Sequence, residues 1–494
     1  MRESRLARFV SEVAGDCRIV VVSNREPVIH DYSDSGIRTL RPASGMVTAL
    51  EPIIRAVRGK WVAHGSGTAD RQVVDAHDRV GIPRSNPQYT LRRVWLSQEE
   101  EVGYYYGIAN SAIWPMCHIT FTRPQFARLD WDTYGAVNQK FCDAVLEEVG
   151  DEKAIVLIQD FHLALLPRLL RMQRPDLTIM LFWHIPWPNR EAFRVFPWGE
   201  ELLDGLLGSD LLGFHIQYHC NNFLDTVDRG IEAKVDYENF SVVRGGRSTV
   251  VRPFPISVDL DQIHEDAQSA ATLRRLSELQ SNHDLETGRV AYFVGMDRID
   301  YTKGILERLQ AFELLLRRSP KLRGTTSFLQ FAAPSRTQVG AYQKLNEQVV
   351  ALVEEINNRH QRDDWLPVHL LRAHHDYDTV LAAYHMADVL AVTSLHDGMN
   401  LVAKEFVSSR WDNRGVLMLS RFTGAARELD SALLINPYDI DELADSMQQA
   451  LQMNREEAVT RMEKMREAVR DHDIYAWGER IFYELKRIQR GWSP

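Results

Sequence analysis

Several short stretches of this chain combine charged, glycine and amide residues in patterns suited to phosphate and sugar chemistry. In Thr393-Ser-Leu-His-Asp-Gly-Met-Asn-Leu-Val-Ala-Lys-Glu405 an apolar run ends, Asp397-Gly398 turns the chain, and Leu401 onward reads as helix. The amides of Gly398, Met399 and Asn400 then sit at a helix N-terminus, where they donate to anionic oxygens. Asp397 at the turn suits sugar hydroxyls. Glu405, about a turn into the helix, suits a ribose diol, as acidic residues do in dinucleotide sites. A plain βα turn with a solvated glutamate is the bland alternative.

A second stretch, Val294-Gly-Met-Asp-Arg-Ile-Asp-Tyr-Thr-Lys-Gly304, also runs from an apolar strand through a loop to a helix. Arg298 and Lys303 lie on that loop and are placed to converge on one diphosphate. Cations just before a helix start are disfavoured by the macrodipole unless an anion partners them, which points to a bound one. In the first half, Val20-Val-Val-Ser-Asn-Arg25 ends a strand on an arginine, whose fork grips phosphate in a way lysine cannot. An ordinary loop salt bridge suits that position equally. Pro42-Ala-Ser-Gly45 precedes the helical stretch 46–57 and has the form of an anion cradle, as do many βα turns that bind nothing. His184 lies between Trp183 and a Pro-Trp-Pro run and reads as a rigid pocket wall. His162 reads as a hydrogen-bonded structural residue, and His374-His375 lacks the spacing of a metal site.

The elements that must position these residues alternate between strand and helix. Apolar runs of strand length occur at 18–23, 154–159, 178–183, 211–214 and 250–253, and again at 290–294, 327–332, 368–371, 389–393, 416–419 and 433–435. Helical patterns fall between them, for example at 305–318 and 339–358. Runs rich in Val, Ile and Leu suit parallel strands buried on both faces, and the alternation means βαβ units in doubly wound α/β sheets. At 494 residues the chain is too long for one ordinary core. Two prolines in Arg252-Pro-Phe-Pro-Ile-Ser-Val-Asp259 mark a seam. It predicts an N-terminal domain over 1–256, a C-terminal domain over 257–470, and a terminal helix over 471–494 packing back on the first. Two such domains facing across a cleft bind ligands at the carboxyl ends of their strands.

Composition narrows the function. With 58 basic and 68 acidic side chains the net charge is -10, which excludes a general polyanion binder and requires a locally positive pocket for any phosphate. Cys17, Cys117, Cys142 and Cys220 are scattered without a CxxC pair, so buried thiols in a reducing compartment are expected. The N-terminal stretch reads as an amphipathic helix, and no apolar run reaches spanning length, so the expected location is the cytoplasm.

In order along the chain, the motifs VVVSNR, YYYGIANSAIWP, QDFHL, HIPWP, DRIDYTKG, APSR and HDGMNLVAKEF resemble those of the trehalose-6-phosphate synthase family of glucosyltransferases, from about Cys17 to Trp477. The resemblance implies GT-B architecture, two Rossmann-like domains and a retaining, metal-independent transfer. Arg298, Lys303 and the backbone of Gly398, Met399, Asn400 and Leu401 would hold the donor diphosphate, with Gly45 closing over it. Glu405 would hold the ribose, and His184 and Asp397 the donor glucose. Arg25, Tyr105, Trp114, Asp160 and Arg336 would form the pocket for glucose 6-phosphate, Arg25 and Arg336 on its phosphate. The implied substrates are a nucleoside diphosphate glucose and a sugar phosphate, with no cofactor, metal, nucleic acid or membrane; a homo-oligomer is compatible.

Three departures from the family pattern stand out. Its double-glycine loop is Ser44-Gly45 here, the aromatic expected after Trp61 is His64, and the usual His-Asp-Tyr is Gln159-Asp160-Phe161. The first two bear on acceptor preference. The nearest rival is similar to the glucosylglycerol-phosphate synthases, which use glycerol 3-phosphate. A non-catalytic sugar-phosphate-binding relative is the other alternative, opposed by the presence of all four of Arg298, Lys303, Asp397 and Glu405. A pyridoxal-phosphate phosphorylase on a similar fold has no support in the sequence.

Overall fold

A computed structural model describes residues 2–34, 36–41, 45–283, 285 and 290–491. The chain divides into two compact units, Met1–Ile256 with Ile474–Pro494, and Ser257–Asp473. The boundary falls inside the proline-marked stretch, and the last helix, Ile474–Gln489, belongs to the first unit. There Trp477 donates from its indole nitrogen to the Phe254 carbonyl at 3.1 Å and packs edge-on against Phe182 at 5.4 Å.

The first unit is built on a ten-stranded sheet. Its parallel centre runs, in spatial order, Arg247–Pro253, Leu211–Phe214, Thr178–Phe182, Ala154–Gln159, Arg18–Arg25, Lys60–His64 and Tyr89–Val94. Antiparallel strands extend it at both edges. Ala154–Gln159 is buried at all six positions, as a run of branched apolar residues covered on both faces must be. Neighbours in the sheet depart in opposite directions between Arg18–Arg25 and Ala154–Gln159, so a switch point opens between their carboxyl ends.

The second unit carries a six-stranded, fully parallel sheet in the order Val368–Leu371, Thr326–Ala333, Ala291–Arg298, Val389–Val392, Val416–Ser420 and Leu433–Ile435. Numbered along the chain this is 3-2-1-4-5-6, the Rossmann order, with its switch point between Ala291–Arg298 and Val389–Val392. Phe293, Phe312 and Phe328 lock helix Ile305–Arg318 to the sheet, and each is fully buried.

The strands expected from apolar runs are present, several one to three residues longer than the run itself, because backbone pairing continues beyond the apolar side chains. Strands Lys60–His64, Arg79–Ile82 and Tyr89–Val94 carry no such run. Their lysines and arginines reach buried carboxylates: Lys60 and Arg79 meet Glu148, and Arg93 meets Glu26. Charge pairing there adds to the packing of Trp61, Val62, Val80 and Leu91, which are buried. The terminal helix expected over 471–494 runs over Ile474–Gln489; it follows helix Arg455–Asp471, with the break where the chain passes between units. Pro42, Ala43 and Ser44 of the proposed anion cradle lie outside the described residues; Gly45 begins helix Gly45–Val57.

Gly304 joins the two loops at the second switch point. Its φ is +63°, and a Cβ there would stand 2.2 Å from the Thr393 carbonyl oxygen. Gly304→Ala is expected to lower the melting temperature of the second unit, the left-handed conformation alone costing about 1–3 kcal/mol; scanning calorimetry of the two proteins checks this.

Candidate active site

At the switch point of the second unit, Arg298 is the last residue of its strand and Lys303 closes the short 3-10 turn Tyr301–Lys303. The loop after the neighbouring strand meets that turn. Leu395 N–H donates to Thr302 O at 2.7 Å, and the Thr393 hydroxyl donates to Lys303 O and Gly304 O at 3.1 and 3.0 Å. Three donors converge on one oxygen, Asp397 Oδ2: Lys303 Nζ at 2.6 Å, with the Ser394 hydroxyl and Asn400 Nδ2 both at 3.2 Å. Asn400 holds φ at +72° and caps helix Leu401–Ser409, its Oδ1 accepting from Ala403 N–H at 3.2 Å. The amides of 398–401 therefore stand where the turn and the helix start were expected. The cations, however, already have anionic partners. Besides Lys303 on Asp397, Arg298 lies 3.9 Å from the buried Asp300. Their placement near a helix start is thus balanced by the protein's own carboxylates.

Asp300 ties in a further expected residue. Arg336, 9% exposed and at φ +46°, places Nη1 at 3.2 Å from Asp300 Oδ2 and also donates to the Tyr342 hydroxyl. Burial alone would raise the Asp300 pKa, but Arg336, Arg298 and Lys303 together hold it below the ordinary value. Arg298 and Arg336 thus share one carboxylate, while Lys303 is held by another.

In the first unit the expected residues gather at the other switch point. Ser23 pairs with Gln159 and Gln159 with Phe182, so Arg25, the last residue of its strand, and Asp160 and His184, just past theirs, stand at three adjacent strand ends. Asp160 takes φ +75°, and its Oδ1 accepts from the amides of Phe161 at 2.9 Å and His184 at 3.1 Å. Tyr105 and Trp114 arrive on the π-helix Val102–Ile113 and the helix Trp114–His118 that continues it. Wide π turns are uncommon and mark functional segments. Trp114 packs on Phe161 at 5.9 Å, and Tyr105 stacks on His162 at 5.6 Å with planes 11° apart. Tyr105, Trp114, Asp160 and His184 are so brought together, with Arg25 on the strand next to them. Of the five residues expected to meet the acceptor, Arg336 alone lies in the second unit.

Burial, with His162 nearby, holds the His184 pKa down to about 3, so its ring is neutral at physiological pH. Its Nε2 lies 2.8 Å from Gln159 Oε1 and its carbonyl accepts from His215 Nε2 at 2.9 Å. A neutral ring of this kind can take part in hydrogen bonds but supplies no charge.

The family model for glycosyltransferase family 20 matches residues 17–487. The chain belongs to glycosyltransferase family 20. It is 39% identical over 477 residues to the trehalose-6-phosphate synthase of Mycobacterium tuberculosis H37Rv, covering 95% of this chain and 94% of that one. To the protein of the same name from Mycobacterium avium it is 40% identical over 471 residues, 94% of each. Among solved structures it is similar to an alpha,alpha-trehalose-phosphate synthase (UDP-forming) from Burkholderia xenovorans in complex with glucose-6-phosphate, with a TM-score of 0.84 and 29% identity over 95% of this chain and 100% of that one. An E. coli trehalose-6-phosphate structure bound with UDP-2-fluoro glucose gives a TM-score of 0.84 and 32% identity over 95% and 99%. This family 20 enzyme is accordingly a glycosyltransferase of GT-B architecture with two Rossmann-like domains.

Two further side chains of this enzyme adjoin the candidate site residues of the first unit. His162, read as structural, stands between Tyr105 and Asp160, with its Nδ1 3.8 Å from Asp160 Oδ2. Gln159, noted only as a departure from the family pattern, fixes the His184 ring. A polar residue ending a wholly apolar strand was the available signal. Among the described residues no helix is long and apolar enough to cross a membrane.

Glu405 accepts from the Tyr384 hydroxyl at 3.1 Å, yet burial pushes its pKa up to about 7. Between 4.5, the ordinary value, and about 7 the folded enzyme keeps a proton that the unfolded chain has released, so stability falls as pH rises through that window. Glu405→Gln is expected to raise the melting temperature at pH 8 and to leave it unchanged near pH 4, while weakening nucleoside diphosphate binding; thermal melts at the two pH values with calorimetric titration measure both.

Proposed function

We propose that this enzyme moves glucose from a nucleoside diphosphate glucose to glucose 6-phosphate with retention, giving trehalose 6-phosphate. One observation carries the reading: two cations and a capped helix N-terminus stand together at the Rossmann switch point, an arrangement suited to a diphosphate inside a protein of net charge -10. The relatives' names, spanning nearly the whole chain, support the choice of reaction, and the neighbours bound with glucose-6-phosphate and UDP-2-fluoro glucose support the choice of substrates.

In this reading Arg298, Lys303 and the amides of Gly398, Met399, Asn400 and Leu401 take the charge that grows on the diphosphate as its bond to the glucosyl carbon breaks. Glu405 holds the ribose, and Gly45 backs the donor. His184 and Asp397 orient the donor glucose. Arg25 and Arg336 bind the acceptor phosphate, with Tyr105, Trp114 and Asp160 around its sugar. The acceptor hydroxyl attacks the same face of an oxocarbenium-like carbon, and its proton passes to the departing diphosphate oxygen. The nucleophile is the acceptor itself, so the protein's work is alignment and electrostatics. Four free thiols suit a cytoplasmic setting.

Nucleoside diphosphate release from UDP-, ADP- and GDP-glucose, each with glucose 6-phosphate or glycerol 3-phosphate, tests this. Glucose 6-phosphate is expected to support by far the faster turnover, and the opposite ranking would refute the acceptor. Lys303→Ala should lower kcat on the order of a hundred- to a thousandfold in the same assay.

A further inference from the structure

The first unit contains a charge cluster that none of the steps above uses. Glu26, His30, Asp70 and Arg93 come from three separate segments, and none is more than 1% exposed. Arg93 sits at the centre. Its Nε lies 2.9 Å from Glu26 Oε2, while Nη2 lies 2.7 Å from Asp70 Oδ1, 2.9 Å from His30 Nδ1 and 3.1 Å from Val28 O. The carboxylates are engaged from their far sides too. Glu26 Oε1 accepts from the Ser66 amide at 2.8 Å and the Ser66 hydroxyl at 3.0 Å; Asp70 accepts from the His30 amide at 2.8 Å and the Gly67 amide at 2.6 Å. Two carboxylates facing one guanidinium leave the cluster with an acid in excess. Burial accordingly raises the Glu26 pKa against the pull of Arg93.

Buried ions are costly, and apolar residues of similar volume often stabilise a protein as well or better. The cluster's location points to a use other than stability. Glu26 is the next residue after Arg25. On the other side of Arg25, the Ser23 hydroxyl donates to the Arg25 carbonyl at 2.7 Å and accepts from the Trp61 indole at 2.7 Å. The backbone of Arg25 is thus clamped between two buried anchors, at a point where pairing with Lys60–His64 slips and brings Arg25 opposite His64. The cluster also binds the loop 65–70 to the hairpin Ile29–Ser33/Gly36–Leu40. Ala69 N–H donates to His30 O at 2.9 Å, and Asp31 accepts from the Thr68 amide at 2.9 Å. The fit is close: a Cβ on Gly67 would stand 2.4 Å from His30 O, and one on Gly65 2.5 Å from the Trp95 ring.

We propose that Arg93 is a positioning residue for the acceptor, setting through Glu26 the place of Arg25 and thereby the binding of the sugar phosphate. The inference rests on the reading of Arg25 as a ligand of the acceptor phosphate. It assigns acceptor affinity to a side chain with no access to the substrate.

The test uses the full chain and four variants: Arg93→Lys, Glu26→Gln, Arg25→Ala, and Arg171→Lys as control. Arg171 is also a buried arginine, 4% exposed and bonded to Gly208 and Asp210, but lies on another element of the unit. R93K keeps the charge and loses the fork that reaches four partners at once. It is expected to raise KM for glucose 6-phosphate on the order of 10- to 100-fold, with UDP and ADP affinities unchanged, while R171K leaves KM alone. Adding R93K to R25A should change KM no further, since the first acts through the second. Should R93K not fold, E26Q carries the same expectation. R93K or E26Q with wild-type KM, an equal rise in R171K, or an undiminished effect of R93K in the R25A background would each overturn the inference. A wild-type chain that ignores glucose 6-phosphate overturns the functional reading and this inference with it.

Discussion

The ion pair between Lys303 and Asp397, 2.6 Å long, joins the loops that follow two neighbouring strands, and the candidate donor site is arranged around it. A cation for a diphosphate must be held near a helix start, where the macrodipole opposes it, in a protein whose charge is negative overall. Asp397 supplies the balancing charge. The same carboxylate oxygen receives Ser394 and Asn400, so one group sets the lysine, the turn and the cap of the following helix. Beneath it the fully buried Arg308 reaches from its helix to Asp297 on one strand and to the Ala391 carbonyl on the other, both at 2.5 Å. The two strand ends are thereby tied from below as well as from above.

The first unit solves a similar problem with different chemistry. Its strand ends carry one exposed arginine, Arg25, and an aromatic wall from Tyr105, Phe161 and Trp114. The direction of a long side chain is set first by its own backbone. The buried cluster behind Arg25 and the Ser23–Trp61 bond in front of it hold that backbone. Across both units, carboxylates out of reach of solvent govern cations that substrates are proposed to touch: Asp300 under Arg298 and Arg336, and Glu26 behind Arg25 by way of the chain.

Much of the candidate donor site could be proposed from sequence because its residues lie within two short segments. Strand, turn and helix start were all visible in 393–405, and local chain geometry alone brings the amides of 398–401 to one point. Arg298 and Lys303 were legible for the same reason. The partners of those cations were not. Asp397 is distant from Lys303 in sequence, and no local pattern marks it as a counter-ion. In the first unit Arg25, Asp160 and His184 are scattered along the chain, and motif resemblance grouped them before any physical argument could.

The sequence by itself determined the fold class and the place of most central strands, because burial on both faces of a parallel strand and the preferences of turns act over a few residues. Only the tertiary structure decided the order 3-2-1-4-5-6 and which charges pair. Strand order depends on how the crossovers pack, and a buried ion pair depends on desolvation by groups from several distant segments. Strands such as Tyr89–Val94, with two arginines in six residues, show the limit most clearly. They look polar along the chain and become interior once Glu26, Asp70 and Asp78 are brought to meet them.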